Sequence, residues 1–107
     1  MARTVKAETK SVRDAKKFLA DVPQECVFWS HDGRVLHNMQ ELADALTAMS
    51  DETFAYQCNL AKNDFGTWLR DIIGDKDLAR NLEKTSSKTE AASAVSRRIS
   101  TLRRRLI

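Results

Sequence analysis

Four groups of side chains could do chemistry if the fold gathered them: two histidines, two cysteines, three spaced aspartates, and five arginines near the C-terminus. His31 and His37 flank a short turn. A general base must lie within hydrogen-bond reach of the proton it takes, and no Ser or Cys nucleophile is tied to either ring by spacing. Cys26 and Cys58 stand 32 residues apart without a C-x-x-C or a nearby pair of histidines, so neither a disulfide framework nor a zinc site is indicated, and both are expected to be buried thiols. Asp64, Asp71 and Asp75 share one helical face with Trp68. Asp64 and Asp71 would stand about 10 Å apart along that helix, too far to share one metal ion or proton, and helix capping explains Asp64 and Asp75 more simply. With three glycines in the chain, no phosphate-cradling loop or nucleophile elbow occurs. The expectation is a non-enzymatic protein with no catalytic residue, metal or cofactor.

The arginines are more informative. Residues 1 to 22 carry net +3, residues 23 to 84 net −5, and residues 85 to 107 net +5, giving +3 overall. An acidic body with basic ends is a different object from a uniformly basic protein. Ala92, Val95, Ile99, Leu102 and Leu106 form an apolar seam spaced 3, 4, 3 and 4 residues, about two heptads. Beside it fall Arg98, Arg103 and Arg105, while Arg97 and Arg104 point away. Paired with a second copy, this seam would set arginine against arginine, so homo-oligomerisation through it is disfavoured. It calls for an apolar surface rimmed by acids.

These residues must be positioned by the rest of the 107-residue chain, which has room for one domain. Hydrophobic residues make up 42% and no apolar run is long enough to span a bilayer. The basic start, Met1 to Lys6, leads into no apolar stretch, so a secretory signal is not expected and the expected compartment is the cytoplasm. Val12, Ala15, Phe18, Leu19 and Val22 predict an amphipathic helix over about 9 to 21, closed by Pro23. Cys26 to Trp29 and Arg34 to His37 predict a β-hairpin turning on Asp32-Gly33 as a two-residue loop, which sets Trp29 against Leu36 and Phe28 against His37, with the two histidines on opposite faces. Both Trp29 and Trp68 are then expected in the core.

Asn38 with Glu41 predicts the cap of a second helix over about 39 to 49. Ser50 starts a third, ending near Lys62; Asn63 and Asp64 cap a fourth that stops at Gly74; and Asp75 opens a short fifth. Ser87 with Glu90 predicts the cap of a last helix. The apolar spacing of Phe28, Trp29, Tyr56, Phe65 and Trp68, within an acidic region, favours a core over a base-stacking platform.

The stretch Phe54-Ala55-Tyr56-Gln57, followed by Lys62-Asn63-Asp64-Phe65, Trp68, Asp71, Ile73-Gly74-Asp75 and Leu78-Ala79, resembles a family of small archaeal and bacterial domains of unknown function with an F-x-Y-[HQ] then K-N-D-F-x-x-W pattern. Phe28-Trp29, Asp32-Gly33, Asn38 and Glu41-Leu42 fit the same pattern, over roughly residues 12 to 84. The resemblance implies a shared fold, and a His where this chain has Gln57; it implies no activity or ligand.

The expected architecture is mainly α, α+β at most: about five short helices around one β-hairpin, then a longer basic helix. Residues 1–8 are expected to be a disordered basic N-terminus, 9–84 a globular body with the hairpin at 26–37, 85–89 a linker, and 90–107 the basic amphipathic helix. The leading functional expectation is an interaction module that docks an acidic protein, or its own acidic body, through Val95, Ile99, Leu102 and Leu106, with Arg98, Arg103 and Arg105 as the rim. The alternative is sequence-nonspecific nucleic-acid binding through Arg97, Arg98, Arg103, Arg104 and Arg105, helped by Arg3, Lys6 and Lys10. No membrane partner is expected.

Overall fold

A computed structural model describes residues 8–107. The described chain is mainly α, with six helices and one two-stranded antiparallel hairpin: α1 (Lys10–Leu19), β1 (Phe28–Trp29), β2 (Val35–Leu36), α2 (Met39–Ala48), α3 (Asp51–Gln57), α4 (Asp64–Trp68), α5 (Lys76–Glu83) and α6 (Lys88–Arg104). A 3-10 turn, Gln24–Cys26, precedes β1, and a π turn, Leu69–Ile73, continues α4. The expected basic N-terminus falls, apart from Glu8, outside the described residues, as do Arg3 and Lys6.

The caps follow the local sequence. Side chains of Thr9, Asn38, Ser50, Asn63, Asp75 and Ser87 each accept a hydrogen bond from a backbone N–H in the first turn of the helix that follows. Gly74 ends the π turn at φ +94°, and its N–H and that of Asp75 both donate to the Leu69 carbonyl, at 2.8 and 2.9 Å. Residues 63 to 73, expected as one α-helix, are thus an α segment that widens into a π turn. One other boundary also moved. The third helix stops at Gln57 instead of Lys62, because Asn59 bends the chain: its amide donates to the Ala55 carbonyl, its Oδ1 accepts from the Ala61 N–H, and its own N–H donates to the Lys62 carbonyl.

The hairpin differs by one residue from the expected register. Phe28 pairs with Leu36 and Trp29 with Val35. Ser30 N–H donates to the Arg34 carbonyl and Gly33 N–H to the Ser30 carbonyl, both at 2.9 Å, so the loop is the three residues His31-Asp32-Gly33 with Gly33 left-handed. A one-residue slip changes which side chains share a face. Phe28 and Leu36 are buried together, and Trp29 is turned outward at 69% exposure, which corrects its expected place in the core. Tyr56 is likewise exposed. The aromatic core is Phe28, Phe54, Phe65 and Trp68, with ring centroids 5.4 to 5.8 Å apart, and Trp68 Nε1 donates to the Cys26 carbonyl at 2.8 Å.

The last helix belongs to the same core. Ala91, Val95, Ile99 and Leu102 are buried among Leu42, Leu46, Leu78 and Leu82. The most extensive helix–helix interface joins α2 and α6. Residues 85–89, expected as a linker, are a tight turn running into α6: Thr85 Oγ1 donates to the Leu82 carbonyl, and Lys88 Nζ reaches the Met49 carbonyl at 2.7 Å. Body and tail are one packing unit. Among the described residues, no helix is long and apolar enough to cross a membrane.

Candidate nucleic-acid interface

Packing decides what α6 can offer a partner. Val95, Ile99 and Leu102, expected to line a docking seam, are at most 3% exposed. The surface that covers them is the chain's own. Ala91 replaces Ala92 as the first buried member, and Leu106, beyond the helix end, is 43% exposed. An apolar docking seam on α6 is therefore filled from within. The helix shows the outside its polar side, where Arg97, Arg103 and Arg104 are exposed and Arg98 and Arg105 are partly covered.

Folding also brings α1 beside α6. Phe18 and Ala15 anchor α1 in the core, which leaves Lys10, Arg13, Lys16 and Lys17 on its outer side. Arg105 Nη1 donates to the Ser11 carbonyl at 3.4 Å, and Lys10, Lys76, Arg98 and Arg105 line one recess between α1, the start of α5 and α6 together with Asp14, Asp75 and Asp77. Two basic segments some eighty residues apart in sequence thus form one surface. Its cations are tempered by exposed acids. Lys10 holds Asp14 at 2.8 Å, and that hydrogen bond lowers the Asp14 carboxyl below its usual range; Lys16 pairs with Glu8. Exposed pairs of this kind are weak in water and exchange readily for a stronger anion.

Arg98 is spoken for. Its Nε donates to Asp75 Oδ2 at 2.7 Å and its Nη2 to Asp75 Oδ1 at 3.1 Å, and Asp75 is 1% exposed. This residue, expected at the rim of a partner surface, joins α6 to the cap of α5. Arg103 Nη2 donates to Gln40 Oε1 at 3.1 Å, which leaves its other donors available.

The residues first weighed for catalysis and metal binding are dispersed. His37 meets Glu41, its Nδ1 2.9 Å from Oε1; its N–H donates to the same oxygen, and that backbone bond is the main cause of Glu41's lowered pKa. Asp75 caps α5 as expected. Asp64 does not cap α4, a role taken by Asn63, and Asp71 is exposed beside Arg70. Among the described residues no group of three or more His, Cys, Asp or Glu could hold a metal ion. Cys26 and Cys58 are free and only partly buried; burial, then Asp64, pushes the Cys58 thiol up.

One cluster draws residues of the stretches 54–57 and 62–64 to the hairpin tip, a contact that spacing does not indicate. Gln57, 5% exposed, accepts from the His31 N–H through Oε1 at 2.7 Å and donates through Nε2 to Asp64 Oδ2 at 2.5 Å. Lys62 Nζ donates to the same Asp64 oxygen at 2.8 Å, which raises the lysine's pKa, and lies 4.8 Å from the centre of the Tyr56 ring. His31 stacks on Tyr56 with ring centroids 3.7 Å apart. This network ties the hairpin tip to α3 and α4. Every polar group named in it is directed at another, which marks it as a brace for the fold.

Comparison with family models, with curated proteins and with solved structures gives no match for this chain.

Proposed function

We propose that this protein is a sequence-nonspecific nucleic-acid-binding module whose binding surface is built from α1 and the C-terminal half of α6. The observation that carries the reading is the joining of the two basic segments on one side of the fold while the apolar side of α6 is consumed in the core. α1 brings four basic residues and one acidic one; residues 97 to 105 bring five arginines and no acid. A rigid cationic surface of this composition suits a phosphate backbone, where each cation displaces condensed counterions. A protein partner is held mainly by apolar and aromatic anchors buried at the centre of the interface. Val95, Ile99 and Leu102, the anchors such docking would use, are already buried.

The test is fluorescence anisotropy with a labelled mixed-sequence DNA duplex, using two charge-reversal variants in separate helices. Lys16→Glu with Lys17→Glu, and Arg97→Glu with Arg104→Glu, alter exposed side chains and leave the core intact. Each pair should weaken binding by about tenfold or more. If only the α6 pair mattered, the joint surface would be wrong. If polyglutamate bound and DNA did not, the partner would be an acidic protein.

A further inference from the structure

An open groove of about 780 Å³ lies between α5 and α6. In the recess between α1 and α5, Asp14, Asp75 and Asp77 nearly cancel the cations. The α5–α6 groove has a different chemistry. Thr89, Ser93, Arg97 and Thr101 recur every fourth residue along one stripe of α6, and Asn81 and Thr85 face them from the α5 side. Thr89, Ser93, Arg97 and Asn81 are exposed. Glu90, the one acid on the lining, is engaged by Ser86 and Ser87 at the groove's end, and the Ser86 N–H bond is the main cause of its lowered pKa.

We infer that this groove takes the sugar–phosphate backbone of one strand of a DNA duplex, with Arg97 on a phosphate and the Thr, Ser and Asn side chains on neighbouring backbone oxygens. The inference rests on the nucleic-acid reading above and specifies its ligand. Three observations support it. Arg97 is exposed and, among the described residues, carries no salt bridge, so a guanidinium is free for an anion in the groove, whereas Arg98 beside it is held by Asp75. Apart from Glu90 and Ala94, the lining is the set that contacts backbone oxygens in protein–DNA complexes: hydroxyls, an amide and two guanidiniums. No aromatic side chain lines the groove, and binding of unpaired strands relies on aromatic stacking of bases. The stripe from Thr89 to Thr101 is about 18 Å long at 1.5 Å per residue.

Hydroxyl contacts and cation contacts differ in their response to salt, and this separates the groove from the general basic surface. A neutral hydroxyl adds affinity without releasing counterions; each cation–phosphate contact contributes about −0.9 to the log–log salt slope. The experiment measures binding of a labelled mixed-sequence duplex, and of its separated single strand, across a salt series for the wild-type protein, Thr89→Val with Ser93→Ala, and Arg97→Ala. Thermal melts confirm that each variant is folded. The hydroxyl pair should weaken duplex binding about fivefold with the slope unchanged, and Arg97→Ala should make the slope shallower by about 0.9. Duplex should bind more tightly than single strand. If the hydroxyl pair bound like wild type while Arg97→Ala still changed the slope, the groove would be refuted and the basic surface would stand. Tighter binding of the single strand would also overturn the inference. Absence of binding to either nucleic acid would overturn the function on which it rests.

Discussion

Arg98 clasps the buried carboxylate of Asp75 with two parallel hydrogen bonds, across the junction between α6 and the start of α5. Asp75 Oδ1 also accepts from the Leu78 N–H, so one carboxylate both caps α5 and receives the guanidinium. Removing the arginine alone leaves a charge with no access to water. We expect Arg98→Ala to cost about 3 kcal/mol or more. Adding Asp75→Asn, which keeps an oxygen for the cap and removes the charge, should restore part of that loss. Urea unfolding of the two variants checks this; a double variant less stable than Arg98→Ala would show that the pair is not the source of the cost.

The two tryptophans should behave as opposites. Trp68 is buried and hydrogen-bonded, and Trp68→Ala should cost about 3 to 5 kcal/mol. Trp29→Ala, on the open face of the hairpin, should change stability by no more than about 0.5 kcal/mol. Iodide quenching provides a second readout: Trp68→Phe should leave a fluorophore that is fully accessible, and Trp29→Phe one that is protected.

Removal of residues 88 to 107 should abolish the cooperative unfolding transition. Ala91, Val95, Ile99 and Leu102 would leave with α6, opening the faces of Leu42, Leu46 and Leu82. Calorimetry on the truncated chain should show no sharp heat-absorption peak. A retained peak would mean that the body folds without α6.

Gln57 offers one acceptor to the His31 N–H and one donor to Asp64, a demand that neutral imidazole also meets. Gln57→His should therefore stay within about 1 kcal/mol of wild type, whereas Gln57→Glu, which sets a second carboxylate against Asp64, should lose about 2 kcal/mol or more. Equal stability of the two variants at neutral pH would show that the bridge contributes little.

How much of this was legible in the sequence follows the range of each interaction. Asn38, Ser50, Asn63, Asp75 and Ser87 could be read as helix starts because a cap bonds to a backbone N–H three residues ahead. Gly74 could be read as a stop because the left-handed residue that ends a helix favours glycine. The hairpin was legible as an element but misread in register, since Asp32-Gly33 serves a two-residue loop as well as the end of a three-residue one. That single residue moved Trp29 out of the core. The seam of α6 was visible as Val95, Ile99 and Leu102, but periodicity does not say which surface covers a seam, and α2 turned out to be that surface. The bond from the His31 N–H to Gln57 and the meeting of Lys10 with Arg105 depend on long-range packing, which local spacing does not show.

The most direct test of the central claim is the salt dependence of duplex DNA binding by the intact protein. Four phosphate contacts, from Arg97, Arg103, Arg104 and Arg105, would give a log–log slope of about −3.6, and contacts from α1 would steepen it. A slope of that size or steeper is the expected result. Binding that does not vary with salt, or no binding near physiological ionic strength, would contradict a function built on this basic surface.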